Sequence, residues 1–513
     1  MIESSTNNKR IAKNTLVLYV RMLFLMVVSL YTSRVVLNAL GVEDYGIYNV
    51  VGGFVATFSV LTGSLSAAIS RFLTFELGKG ESQKINTIFS TSVIIQIGLS
   101  AIILVVAETI GLWFLNYKMV ISEDRLVAAN WCFQLSVITF VINLISIPYN
   151  AAIIAHEKMS AFAYISIFEG LSKLIIAWLI LLNPVDRLVF YAILMAIVAL
   201  AVRMIYAWYC KRHFAECNFC LVYDNTLLKQ MLGFAGWNFI GSSAGVLRTQ
   251  GLSVLINLFF GTVVNAARGI SVQVNVAVAS FVSNFMTAIN PQITKSYAAG
   301  DTDYLNKLLF KGARLSFYLL LFLSLPILIE TGTILSLWLK IVPEHTIGFV
   351  RLTLLFTMCE AVSGPLITVM LATGDIKKYQ IIVGGTNLLN IPLSYFLLKW
   401  IGFDDYPEIT MVVAIFLSIV CLIQRLIMLR DMINLNAKSF MIDVIMNVFI
   451  VSLLSAAIPV VLHRMMPASV ATSIFNIAIC LLYSFFIIFY IGCDKGERTF
   501  VISKVQNLRF RKS

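Results

Sequence analysis

GKGESQKIN (residues 78–86) returns 220 positions later as AGDTDYLN (residues 299–306). The shared pattern is Gly, acid, Ser or Thr, two variable positions, an apolar residue and Asn. The same offset aligns Gly41 with Gly261, Ala68 with Ala288, Ile69 with Ile289 and Gly80 with Gly300. After a small gap, Glu108 and Trp113 fall near Glu330 and Trp338, and Pro148 falls near Pro365. A greasy composition produces apolar coincidences, but it does not write a polar connector twice. The chain is therefore an internal duplication.

What is duplicated follows from composition. Of 513 residues, 59% are apolar and 12% charged, and the mean hydropathy is +0.89. Soluble domains run near 45–50% apolar and about 25% charged. A soluble fold has no core large enough for this excess, and disorder requires the opposite balance. The apolar runs are continuous, as in AIILVVAETIGLWFL (101–115) and FYLLLFLSLPILI (317–329). Barrel strands are short and alternate, so these runs read as membrane helices.

Windows of about 20 apolar residues give fourteen spans, near 15–37, 46–70, 87–115, 127–155, 161–182, 188–209, 229–260, 263–292, 312–339, 349–373, 379–398, 409–429, 441–462 and 469–491. The repeat unit holds six of them, an even number, so both copies enter the membrane in one orientation. The expected fold is an all-α polytopic membrane protein with two parallel six-helix lobes and two further C-terminal helices, a transporter architecture. The lobes are assigned to residues 1–215 and 216–432, with the last two spans and a basic tail in 433–513. The polar, basic N-terminus leads into a first helix expected to be retained rather than cleaved.

With the N-terminus inside, the inner segments hold 24 of the 38 Lys and Arg residues. The outer loops hold seven: Lys118, Arg125, Arg187, Lys340, Arg351, Lys399 and Arg464. This asymmetry places both termini in the cytoplasm. It also spreads the net charge of +12 over short loops, so nucleic acid is not an expected partner. Eight scattered Cys make no disulfide framework. Cys210, His213, Cys217 and Cys220 match a zinc spacing, but the plainer reading is a short connection with reduced thiols, and no metal or other cofactor is expected.

Seven basic residues fall inside spans (Arg21, Arg34, Lys173, Arg203, Arg248, Arg268 and Arg314) against four acidic ones, Glu108, Glu169, Glu330 and Glu360. An ionised side chain at the bilayer centre costs about 2.5–3.5 kcal/mol on insertion scales, so it usually faces a cavity. Arg203 and Arg314 lie near helix ends and are expected to snorkel. Arg34 and Arg268 lie near outer ends, whereas Arg21 and Arg248 are deep and occupy spans one and seven, equivalent across the repeat. Glu169 and Lys173 are spaced for an in-helix pair, either self-neutralising or opened by a proton, ion or substrate. Glu360 either pairs across to an Arg or titrates. The net positive interior favours an anion, and Arg grips phosphate through two parallel hydrogen bonds.

The span plan, GVEDYGIYNVVGGFV (41–55) and its counterpart GTVVNAARGISVQVN (261–275) resemble the Wzx-type bacterial polysaccharide flippases of the multidrug/oligosaccharidyl-lipid/polysaccharide superfamily, over about residues 10–490. The resemblance implies a bacterial inner-membrane protein that moves an undecaprenyl-pyrophosphate-linked oligosaccharide from the cytoplasmic to the periplasmic leaflet. It implies cavity roles toward the pyrophosphate for Arg21, Arg34, Arg248 and Arg268, and a coupling or ion-pair role for Glu169, Lys173 or Glu360. Proton and sodium coupling both stay open. Expected partners are the lipid-linked oligosaccharide, membrane lipid and a glycan polymerase machinery, with the chain acting as a monomer. A multidrug or cation antiporter of the same superfamily is the first alternative, and a membrane glycan polymerase or ligase the second. The first prefers a carboxylate-lined cavity; the second, outer loops larger than any here.

Overall fold

The computed structural model describes the chain apart from residues 1, 57, 81, 118–120, 183–185, 219, 221–223, 340, 341, 401–404, 468 and 500–513. The described chain is helical, with no strand. The helices are α1 (Ile2–Ala56), α2 (Ser59–Lys79), α3 (Ser82–Val106), α4 (Leu112–Tyr117), α5 (Leu126–Ala155), α6 (Met159–Leu182), α7 (Arg187–His213) and α8 (Asn225–Ala298). They continue as α9 (Thr302–Ile329), α10 (Thr331–Leu339), α11 (Thr346–Thr373), α12 (Lys377–Leu388), α13 (Asn390–Trp400) and α14 (Ile409–Ile433). Three more, α15 (Ala437–Phe440), α16 (Asn447–Met465) and α17 (Val470–Ile487), close the chain. Part of the C-terminal basic tail lies outside the described residues.

Twelve described helical segments are long and apolar enough to cross a membrane. Two expected spans are missing from that set: 46–70, divided between α1 and α2 around residue 57, which is outside the described residues, and 229–260, which is helical but more polar. The second carries Asn238, Ser242, Ser243, Arg248, Thr249 and Gln250 within one run of α8. Residues of this kind are expensive against lipid and belong on a protein or cavity face.

The duplication is written into the backbone. Helix α1 breaks at Gly41 (φ 81°, ψ 171°) and α8 breaks at Gly261 (φ 76°, ψ −168°). This region is essentially confined to glycine. Gly80 and Gly300, the two connector glycines, both turn left-handed after their helices, with φ of 78° and 74°. Pro148 and Pro365 both lie inside helices, α5 and α11.

The chain packs as two compact units, Met1–Ser242 with Thr287–Asp301, and Ser243–Met286 with Thr302–Ser513. Both ends of α8 thus belong to the first unit and its middle to the second. In the first unit, Leu18, Met159 and Ala288 form one fully buried cluster. Glu157 binds the same three segments: its buried carboxylate meets Arg10 Nε at 2.8 Å and Lys295 Nζ at 2.7 Å. Gln292 Nε2 donates to Glu157 Oε2 at 2.5 Å and Asn14 Nδ2 to its carbonyl at 3.3 Å. Arg125, at the start of α5, reaches Asp44 and Asp186 at 2.6 Å each, and Arg187 Nη1 donates to Ala39 O at 3.0 Å. These contacts grip the chain on both sides of the Gly41 break. The second unit has His345 Nδ1 at 2.9 Å from Glu408 Oε1 before α11 and α14.

Candidate functional site

In the first unit, α1, α6 and α7 enclose a cavity of about 480 Å³. Arg21, Ser29, Ser166, Glu169 and Lys173 supply its polar wall, and Leu25, Val28 and Met195 part of its apolar one. Helix geometry makes the polar wall: Ser166, Glu169 and Lys173 recur at three- and four-residue spacing and so share a face of α6. Lys173 Nζ lies 2.6 Å from Glu169 Oε1, so the in-helix pair is formed and faces the cavity. The Arg21 guanidinium sits 4.3 Å from the centroid of the Phe162 ring, and its Nε is buried without a hydrogen-bond partner. A cation over a ring returns about 0.5–2 kcal/mol, less than the intramembrane charge costs. Arg21 therefore keeps unspent donor capacity. Arg34 is exposed and is not among the residues lining this cavity.

The second unit gathers Arg248, Arg268, Glu360 and Arg425. Arg248 Nη1 donates to Asn387 Oδ1 at 2.8 Å, and its guanidinium lies 4.8 Å from the Phe356 centroid. Arg268 is 6% exposed; it donates to Thr249 O at 2.9 Å and to Ser253 Oγ, while its Nε has no partner. Glu360 accepts from Ser418 Oγ at 2.5 Å and stands 4.0 Å from Arg425 Nη2. Of the two alternatives for Glu360, the cross-helix arginine partner is present. Three guanidiniums against one carboxylate leave this cluster net positive.

Arg425 is the residue that the inner-loop count misplaces. It is 2% exposed inside α14, with Nε and Nη1 both buried and unpartnered. The repeat held the signal, because Arg425 follows Arg203 by 222 positions, close to the repeat offset. Arg203 itself lies 4.0 Å from the Tyr149 ring centroid. Arg314, expected to snorkel, is buried instead, and its Nη2 meets Asp494 Oδ2 at 2.9 Å. The carboxylate arrives from the segment after α17, which no local window reveals.

Glu330 is 3% exposed, between α9 and α10, and accepts from His463 Nδ1 at 2.8 Å and Asn476 Nδ2 at 2.7 Å. Of the zinc-spaced residues, Cys210 donates to Tyr149 O at 3.4 Å and His213 faces Tyr209 O at 3.0 Å, while Cys220 is exposed. Among the described residues no three His, Cys, Asp or Glu side chains converge as a metal site would require.

Duplicated helices long and apolar enough to cross a membrane, with guanidinium donors buried in each unit, define a multi-pass membrane protein. The fold is shared with solved transporters of the MATE family and the MOP superfamily. An outward-facing MATE-family multidrug-resistance transporter matches with a TM-score of 0.72 at 11% identity, covering 83% of this chain and 96% of that one. A MOP transporter from Pyrococcus furiosus, described as having a binding pocket of reverse polarity, matches at 0.71 and 11%, with the same coverage. A point mutant of the Vibrio cholerae MATE transporter VcmN matches at 0.69 and 15%, covering 85% and 99%. No curated protein matches the sequence significantly. The chain belongs to the polysaccharide biosynthesis protein family, whose profile matches residues 11–297.

Proposed function

We propose that the protein is a flippase that carries an undecaprenyl-pyrophosphate-linked oligosaccharide from the cytoplasmic to the periplasmic leaflet of the bacterial inner membrane. The observation that carries this reading is the set of buried, unspent guanidinium donors: Nε of Arg21, Nε of Arg268, and Nε and Nη1 of Arg425. Leaving such donors unpaired costs about 1–3 kcal/mol each, and a diphosphate supplies acceptors for them. Glu169 is occupied by Lys173 and Glu360 by Ser418 and Arg425, which leaves little free carboxylate for an organic cation. Membership of a polysaccharide biosynthesis family supports the glycan part of the substrate.

The physics asks for no covalent step. A sugar diphosphate cannot enter hydrocarbon without losing its water hydrogen bonds. Guanidiniums and hydroxyls replace those bonds while the isoprenoid tail stays in lipid, and alternating access moves the head across. Both termini are cytoplasmic on this reading, with Arg34 contributing near the outer end of the first helix. A proton or sodium gradient drives the cycle, and the chain works as a monomer beside the glycan polymerase machinery.

The test is reconstitution into vesicles with a fluorescent undecaprenyl-diphosphate oligosaccharide and an impermeant quencher. Active protein exposes the inner-leaflet label, whereas empty vesicles protect about half of it. Protection unchanged by the protein, under both proton and sodium gradients, overturns the assignment.

A further inference from the structure

Glu330 carries a negative charge into a site that supplies no fixed positive one. Its carboxylate is buried, and among the described residues its one ion-pair partner is a histidine, with no Lys or Arg in reach. The nearby Arg351 guanidinium is directed at Leu328 O and Thr331 Oγ1, both at 3.1 Å. The donors on Glu330 Oε1 are His463 and Asn476, from α16 and α17. They leave two buried acceptors unspent, Glu330 Oε2 and Asn476 Oδ1. Ser473, one turn before Asn476, adds a hydroxyl that itself hydrogen-bonds the Glu330 carboxylate; it is 7% exposed and lies 3.0 Å from Thr333 Oγ1. Two unfilled acceptors of this kind, on side chains already in contact, call for a positive ligand.

We propose that Glu330, Asn476 and Ser473 bind a small monovalent cation, sodium in size and in its preference for oxygen. The donor set is a carboxylate, an amide carbonyl and a hydroxyl, which suits a hard cation rather than a thiolate- or imidazole-seeking metal. A single carboxylate balances one positive charge, whereas calcium sites draw on more oxygen ligands and more carboxylates. The cation joins the residue after α9 to α17, the last of the helices that stand outside the repeat. Its occupancy therefore fixes how α17 docks within the second unit. This assignment is independent of the flippase reading, since it needs no lipid-linked substrate.

The experiment uses the purified full chain in detergent at constant pH and ionic strength, with choline chloride replaced stepwise by sodium chloride. A saturable rise in Tm with sodium, absent with choline, is expected for the unmodified protein. Glu330→Gln and Asn476→Leu should abolish the rise while the protein still melts cooperatively. Radioactive sodium binding to the unmodified protein, at about one ion per chain, keeps the test valid if either variant fails to fold. A Tm indifferent to sodium, no bound sodium, or a sodium response that persists in Glu330→Gln overturns the proposal.

Discussion

His345 holds Glu408 in the second unit where Arg125 holds Asp186 in the first. The basic residues stand 220 positions apart and the acids 222 apart, and each pair joins the starts of two helices. The paired atoms lie 2.9 Å and 2.6 Å apart. Duplication has kept the bond while changing the chemistry, since Arg125 also grips Asp44, whereas among the described residues His345 pairs with Glu408 alone.

Arg125→Ala should therefore cost more than His345→Ala. The Arg125 side chain is 22% exposed, and charge-assisted hydrogen bonds of this kind contribute about 1.5–3 kcal/mol when shielded, less toward solvent. Thermal unfolding in detergent should show the larger Tm loss for Arg125→Ala. Equal losses would mean that the Asp44 contact contributes nothing.

The break glycines offer a second check. A Cβ at Gly41 or Gly261 meets nothing within 4 Å, so any cost of Gly→Ala comes from the backbone alone. That cost is about 1–3 kcal/mol for a residue held in this region. Gly46→Ala, at a helical site equally open, should be neutral or stabilising. Matching behaviour at all three positions would show that the breaks are not required.

For the buried arginines, Arg21→Ala and Arg248→Ala should each lower glycan export by about tenfold to a hundredfold, the equivalent of one or two charge-assisted hydrogen bonds. Arg→Lys should restore part of it, because Lys keeps the charge and loses the planar grip. Arg34→Ala should be milder. Surface glycan at matched membrane level is the measurement, and full export by both alanine variants would remove the residue-level support for diphosphate binding.

The connector after α7 carries a pH dependence. His156 Nε2 and Glu216 Oε1 lie 2.5 Å apart, and that hydrogen bond, against some burial, holds the Glu216 carboxyl below the usual carboxylate range. A lowered carboxylate contributes stability at pH above its unfolded value, near 4.3, and loses it as pH falls through the folded value. Tm should drop between about pH 5 and pH 3, with a shallower drop in Glu216→Gln. An unchanged slope in that variant would assign the acid sensitivity elsewhere.

The fold was legible because its two determinants are local: apolar runs of spanning length, and a connector repeated with its turn glycines. The glycine pairs Gly41/Gly261 and Gly80/Gly300 carried the duplication into the structure almost angle for angle. The sites were legible only in part. Lys173 finds Glu169 on its own helix, a partner that spacing reveals, whereas Arg314 and Glu330 find theirs on elements far along the chain. Arg425 escaped because a basic residue near an inner helix end reads as a loop charge until its helix is seen to be buried there.

The return of α8 to the first unit has a consequence for how the protein is made. When residue 242 leaves the ribosome, Glu157 has Arg10 and Asn14 within reach, but Gln292 and Lys295 do not yet exist. The pocket that Ala288 fills beside Leu18 and Met159 is likewise open. The first unit is thus left incomplete while the opening segments of the second are being synthesised, and it finishes only once the end of α8 arrives. A gene cut between residues 242 and 243 would yield one fragment lacking its own closing segment and another carrying a segment foreign to it, so the two halves are not separable products.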